Sequence, residues 1–408
     1  MRSLNRDLLA GLTVALVALP LAIGFGVASG AGAAAGIATA IVAGLVAAIF
    51  GGSRFQVSGP TGAMTVVLIP LAGAYGLHAV LLVGFISGAL LVALGLLKLG
   101  NHIHKLPTAL IEGFTAGIAV VIALQQVPAG LGAKTAGGEG IAQAAFTAVV
   151  DWSKSPTWAP MLVTAITAGL LIWAGHRWGR LPLSLMAIAL ATLLNSAAGL
   201  KLATVGALPS FGRVDVSWLG AAAHWQALVL PIISVTLLGA LESLLSAKIA
   251  DRMRPDVSPH DSNRELIGQG IANLAVPFFG GIPATAALAR TAVNVRAGAQ
   301  SRWSAAFHAA ILACFVLVLA PLVEQIPLAA LSGVLIATAS HMIKPSELMH
   351  TVRQSRLDGI VLLATLAVTV FANLTAAVCV GLVLFIGLRR TRLNDAEVPV
   401  DQEETLGD

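Results

Sequence analysis

Phe55-Gln56-Val57-Ser58-Gly59-Pro60-Thr61-Gly62-Ala63-Met64 breaks an apolar run with glycine and proline, and Gly280-Gly281-Ile282-Pro283-Ala284-Thr285-Ala286-Ala287 does the same in the second half of the chain. Proline removes a backbone donor and glycine weakens a helix, so the run after each break starts inside hydrophobic sequence. A helix that starts within a bilayer leaves its first N–H groups without carbonyl partners, which is costly in hydrocarbon. Interruptions paired between two halves of a membrane chain point to a binding site near the midplane.

The rest of the sequence makes a membrane the only setting that fits. Hydrophobic residues make up 57% of the chain and charged residues 11%. Mean hydropathy is +0.89, outside the range of soluble globules. Residues 8–53 contain no Asp, Glu, Lys or Arg, enough for two helical spans of about 20 residues. The first apolar stretch is too long, and lacks the cleavage pattern, for a removable signal. Cys314 and Cys379 both fall in apolar spans, which suggests neither a disulfide framework nor a zinc site. His102 and His104 lie in a basic loop without metal-spacing partners.

Hydropathy and breakers predict fourteen segments, near 8–29, 32–50, 61–73, 78–97, 108–127, 158–174 and 181–198, then 227–248, 266–279, 287–299, 303–322, 327–343, 358–372 and 374–389. The third and tenth are read as equally short half-helices, because about 13 residues span only about 20 Å of a core of about 30 Å. With the N-terminus in the cytoplasm, the outer loops hold only Lys134, Lys154, Lys201 and Arg213 of the 24 Lys and Arg residues. Arg290 stays within a span, and all the others, among them Lys105, Arg180, Arg389, Arg390 and Arg392, fall inside. That bias follows the positive-inside rule and supports an even number of spans. Seven spans per half then give an inverted repeat whose half-helices meet with their N-termini facing. Residues 130–157 read as an outer loop, and the acidic stretch 393–408 as a polar cytoplasmic tail.

Two half-helix N-termini facing one cavity make an anion site from backbone N–H groups and dipole. The donors expected there are Thr61, Gly62 and Ala63 on one side, with Ala287, Leu288, Ala289 and Arg290 on the other. Arg290 adds full positive charge and either pairs with Glu242 or snorkels to an interface. Glu242 lies mid-span, where an acid costs about 2.5–3.5 kcal/mol and marks a functional candidate. It binds a proton, ligates sodium together with Ser246 one turn along, or serves as a structural partner of Arg290. Glu112 reads as a helix-start acid, Pro20 as an interruption of the first span, and Phe25 one turn later as a cavity or packing residue. Gln125 and Gln126 are assigned no role. No nucleophile elbow, P-loop or zinc-protease motif is present, so chemistry on a substrate has no support.

Gln56-Val57-Ser58-Gly59-Pro60-Thr61, Asp261-Ser262-Asn263-Arg264-Glu265-Leu266, Gly281-Ile282-Pro283-Ala284-Thr285 and Ala289-Arg290-Thr291 together resemble the sulfate permease family of anion transporters, which includes the prestin and pendrin relatives. The resemblance runs from about residue 4 to 392. It implies a transport domain over 1–392, with a core of about 1–100 and 227–322 moving against a gate of about 105–200 and 325–392. It implies substrate contacts at Phe25, Thr61 to Ala63 and Leu288 to Arg290. Glu242 falls where sodium-coupled bicarbonate members place a cation-binding acid. A homodimer and elevator-like alternating access are also implied. Leu21 follows Pro20 where many members have glutamine, which removes one polar contact. Members usually carry a cytoplasmic STAS module, and the expectation here is of a transmembrane domain without it.

The expectation is therefore an all-α polytopic secondary transporter of a small anion (dicarboxylate, bicarbonate or sulfate), driven by proton symport through Glu242. Sodium symport and uncoupled exchange are the alternatives, and a nucleobase permease is the more distant one. A channel or a membrane enzyme stands further off still. The partners expected are the anion, membrane lipid and a second copy of the chain; no nucleic acid and no cofactor beyond H+ or Na+ are expected. The setting expected is a bacterial inner membrane, with both termini in the cytoplasm.

Overall fold

A computed structural model of the chain describes residues 2–103, 108–133, 140–175, 177, 182–208, 216–371, 376–377, 380–381, 383–385 and 387. Outside them lie Lys105, Lys134, Arg180, Arg213, Arg389, Arg390, Arg392, His104, Cys379, part of the segment expected at 374–389 and the tail 393–408.

The chain begins with α1 (Arg2–Ala28) and α2 (Ala33–Phe50), followed by a two-residue strand β1 (Ser58–Gly59) and α3 (Gly62–Leu96). Next come α4 (Gly100–Ile103), α5 (Thr108–Leu131), α6 (Ile141–Lys154), α7 (Trp158–Gly175) and α8 (Leu183–Ala197). A 3-10 turn at Ser217–His224 leads into α9 (Trp225–Met253), then α10 (Ser262–Ala275) and a second 3-10 turn at Val276–Phe279. The strand β2 (Thr285–Ala286), α11 (Leu288–Arg296), α12 (Trp303–Glu324), α13 (Leu328–Met342), α14 (Pro345–Gln354) and α15 (Arg356–Phe371) follow. Among the described residues, eight helices are long and apolar enough to cross a membrane. Helix is the form such runs must take, since it pairs every backbone group within the segment.

Several expectations need correction. α1 runs unbroken through Pro20, because membrane helices re-satisfy the carbonyl that a proline frees. The third and fourth segments, by contrast, are two helical parts of α3 as expected, parted at Gly76, whose backbone is non-helical (φ 74°, ψ 178°); the first part, residues 62–75, spans about 21 Å. α11 has nine residues and is shorter than its counterpart. It ends where Gly298 turns left-handed (φ 91°) and the Ala299 N–H returns to the Asn294 carbonyl at 3.2 Å. The stretch read as an outer loop contains α6 over Ile141–Lys154, with Ala145 and Ala148 buried on one face. Glu112 lies beyond the first turn of α5, which contains no acid. The end of a helix dipole does not reach it there.

Among the described residues two compact units emerge: those within 2–103 and 118–343, and those within 108–117 and beyond 343. In the second, Ala109 and Leu110 pack against Val361 and Leu362. In the first, helices meet through small residues, as membrane helices do when van der Waals contact replaces the hydrophobic drive. Gly36 of α2 lies against the Ala22 carbonyl and Gly26 of α1. α3 and α10 cross at Gly88 and Gly270, where a Cβ on Gly88 would stand 2.8 Å from the Gly270 carbonyl oxygen and one on Gly270 2.6 Å from that of Gly88. α7 meets α13 where the Thr164 hydroxyl donates to the Ala329 carbonyl at 2.9 Å.

The α3–α10 crossing gives a direct test. Gly270→Val forces backbone apart and costs about 1–3 kcal/mol, which is read as a lower melting temperature of the purified protein in detergent. Gly73→Ala, where a Cβ meets nothing within 4 Å, leaves the melting temperature unchanged or raises it slightly.

Candidate functional site

The two broken segments pair with each other. β1 runs antiparallel to β2, with Ser58 opposite Ala286 and Gly59 opposite Thr285, and the Ala287 N–H continues the ladder to the Val57 carbonyl at 3.0 Å. α3 starts three residues after β1 and α11 two residues after β2, so the pairing brings both helix N-termini together inside the first unit.

Side chains lace this pair to the helices around it. From α11, Arg290 Nη2 donates to the Pro60 carbonyl at 2.6 Å, and Thr291 Oγ1 accepts the Val57 N–H at 3.2 Å. Asn294 Nδ2 donates to the Phe55 carbonyl at 2.8 Å. From α10, Gln269 Oε1 accepts from the Ser58 hydroxyl at 2.8 Å, and Asn273 bonds both polar backbone groups of Ala284. From α2, Thr39 Oγ1 accepts the Ile282 N–H at 2.7 Å. α9 supplies Ser243, whose hydroxyl lies 3.0 Å from that of Thr285 and whose carbonyl accepts from Gln56 Nε2 at 2.7 Å. Ser246 donates to Thr291 Oγ1 at 3.0 Å. Each bond gives a buried polar backbone or side-chain group the partner that hydrocarbon would deny it.

The helix starts themselves are left open. The N-cap residues Thr61 of α3 and Ala287 of α11 make no side-chain capping bond. At α10, by contrast, Asp261 accepts from the N–H groups of Asn263 and Arg264, the usual way to satisfy such donors. The Thr61 hydroxyl instead turns to Glu242 Oε2, donating at 3.0 Å. Arg290 is 1% exposed, and its Nε and Nη1 have no partner. It therefore does not snorkel, and among the described residues it forms no ion pair with Glu242. Gly59 (φ 157°) makes room for it, since a Cβ there would run into Arg290 Nη1.

The sequence-predicted residues gather here, in two different settings. Phe25, Thr61, Gly62 and Ala63 are buried, and the Phe25 ring edge would stand 3.1 Å from a Cβ on Gly62, which also faces Ile122. Leu288 and Ala289 are exposed, Leu288 by 40%, whereas Ala287 is half-buried and its N–H, expected as an anion donor, is taken by the Val57 carbonyl, since the strand pairing extends one residue past β2. Glu242 is half-buried, and Ser246 is sealed away in its bond to Thr291. Gln125, assigned no role from sequence, reaches the first turn of α3 and accepts from Thr65 at 3.3 Å. The lacing residues Thr39, Ser243, Gln269, Asn273, Thr291 and Asn294 were missed. The available signal was a polar side chain inside an apolar run, with Gln269 and Asn273 spaced one turn apart. His308 of α12 was missed too; it is fully buried, with neither ring nitrogen partnered.

The arrangement offers unpaired N–H groups, two converging helix dipoles and a buried guanidinium, all favourable to an anion. Asn294→Ala leaves the buried Phe55 carbonyl without a donor and costs about 1–3 kcal/mol. A drop in detergent melting temperature checks this, and Asn294→Gln recovers little of the loss because the longer side chain misplaces the amide.

The chain is similar to known proteins over most of its length. The model of the sulfate permease family matches residues 4–365. YvdB of Bacillus subtilis (strain 168) is 36% identical over 413 residues, covering 99% of this chain and 77% of that protein. The bicarbonate transporter BicA of Synechocystis is 32% identical over 404 residues, covering 93% of this chain and 68% of that one. The solved transmembrane domain of a cyanobacterial BicA superposes with a TM-score of 0.84 at 30% identity, over 92% of this chain and 98% of that one. Paired helix starts, the residues that lace them and a family match across most of the chain lead to one conclusion: this integral membrane protein belongs to the sulfate permease family of anion transporters.

Proposed function

We propose that the chain is a proton-coupled symporter of a small anion such as bicarbonate, sulfate or a dicarboxylate. The anion sits between the N-termini of α3 and α11, contacted by Phe25, Thr61, Gly62 and Ala63 on one side and by Ala287, Leu288, Ala289 and Arg290 on the other. The observation that carries this reading is the bond from the Thr61 hydroxyl to Glu242 Oε2 at 3.0 Å. Thr61 is the residue from which α3 starts, so the charge on Glu242 is felt at the end of the helix that binds the anion. An ionised Glu242 repels an incoming anion, and a protonated one does not. Proton and anion therefore favour each other's binding, which is the linkage a symporter needs. Alternating access then moves the laced pair and its cargo as one block, in an elevator-like manner, within a homodimer in a bacterial inner membrane.

Sodium coupling would use Glu242 with Ser246. The Ser246 hydroxyl donates to Thr291 Oγ1 and keeps its oxygen lone pairs for a cation, so the imposed gradients decide between the two readings. A nucleobase would want carboxylates and amides around a neutral ring, and the buried guanidinium argues against it.

Uptake of labelled bicarbonate, sulfate and fumarate into proteoliposomes, with inward proton and sodium gradients imposed separately, tests the reading. Proton-driven accumulation is expected, falling at least about ten-fold in Glu242→Gln, the cost of about 1.4 kcal/mol of lost coupling. Sodium-driven uptake, or exchange that ignores both gradients and survives Glu242→Gln, overturns it. Competition by uracil would point to the nucleobase reading.

A further inference from the structure

At the end of the first unit where α2 finishes and α10 and α12 begin, three arginines from separate elements converge. Arg302 at the N-cap of α12 donates Nη1 to the Ile49 carbonyl at 3.1 Å. Arg264 in the first turn of α10 donates Nε to the Phe50 carbonyl at 3.4 Å. Arg54, in the loop after α2, donates Nη2 to the Ser258 hydroxyl at 3.3 Å. A guanidinium carries five N–H donors, so most of theirs remain available. Among the described residues none of the three forms an ion pair. Partial burial, and after it the charges of Arg264 and Arg54, hold the Arg302 guanidinium below the ordinary arginine value against the pull of Glu265. Glu265 is itself buried and accepts the Gly52 and Ser53 N–H groups at 2.9 Å each. Nearby Arg254 shows the opposite arrangement: it pairs in two-pronged fashion with Asp256 at 2.8–2.9 Å and stacks on Phe55.

The surroundings of the cluster are apolar and exposed. Ile49 and Phe50, whose carbonyls hold two of the guanidinium groups, present their side chains outward, and so does Trp303 beside Arg302. Cations next to outward-facing aliphatic and aromatic side chains match a membrane–water boundary, where Trp is enriched and basic residues meet phosphate. We propose that Arg54, Arg264 and Arg302 bind the headgroup phosphate of an anionic phospholipid, whose acyl chains lie along Ile49, Phe50 and Trp303. A free phosphate shares the headgroup's chemistry but has no use for the apolar wall. The lipid fastens the end of α2 to the starts of α10 and α12 and screens three like charges from one another. The site is separate from the anion site between α3 and α11, and the proposal does not depend on the coupling reading.

Native mass spectrometry of the detergent-purified protein, titrated with phosphatidylglycerol or phosphatidylcholine, tests this. Phosphatidylglycerol is expected to bind about a hundred-fold more tightly, with about five-fold lost per arginine removed. In Arg54→Gln/Arg264→Gln/Arg302→Gln the two lipids become equivalent, whereas Arg353→Gln in the second unit keeps the preference. Arg54→Gln alone, which breaks only a bond to the Ser258 hydroxyl, gives the single-charge step without touching a helix end. Equal binding of both lipids by the unmutated protein overturns the proposal without any variant, and so does a triple variant that keeps the preference. Displacement of phosphatidylglycerol by an equal concentration of inorganic phosphate overturns the lipid assignment in favour of a small-anion site.

Discussion

Two helices begin inside the hydrophobic interior, and their first N–H groups have no carbonyls to meet. Most of the architecture of the first unit can be understood as an answer to that deficit. The strand pair takes up the backbone of the residues ahead of each helix. Side chains from α2, α9, α10 and α11 take up what the strands leave over. Among the buried side-chain atoms left without a partner are Arg290 Nε and Nη1, beside the helix starts, where an anion is a natural complement. A cap of the kind Asp261 provides for α10 would have occupied the donors of the helix starts themselves.

The lacing crosses between the halves of the chain. The first broken segment is held largely by α11, through Arg290, Thr291 and Asn294. The second is held by Thr39 from α2, with Asn273 from the adjoining helix. Neither helix start has a fixed position without the other half. The distances between the two helix starts are bridged by short bonds rather than by loop length.

The broken segments and the apolar spans were legible because each leaves a mark along the sequence: glycine and proline in hydrophobic runs, or long stretches without charge. The lacing was not legible, because Thr39 and Asn294 look like ordinary small polar residues until the fold sets them against Ile282 and Phe55. The gap that hydropathy leaves at 74–77, between the third and fourth spans, is where Gly76 takes a non-helical backbone (φ 74°, ψ 178°). Pairing Glu242 with Arg290 was a reasonable inference from charge alone. The fold instead sends the arginine to a carbonyl at the base of α3 and gives the acid a hydroxyl.

The cross-half bonds also constrain how the molecule is made. Pro60 and the arginine that holds its carbonyl are separated by 230 residues. At a synthesis rate of about 5–20 residues per second, the first broken segment waits roughly 10–50 s before its partner exists. During that interval Val57, Pro60 and Phe55 have unmet backbone groups in or near the bilayer. The nascent first half must therefore shelter them, by lying shallow, by holding water or by engaging an insertion factor. It settles at depth only once α11 has left the ribosome.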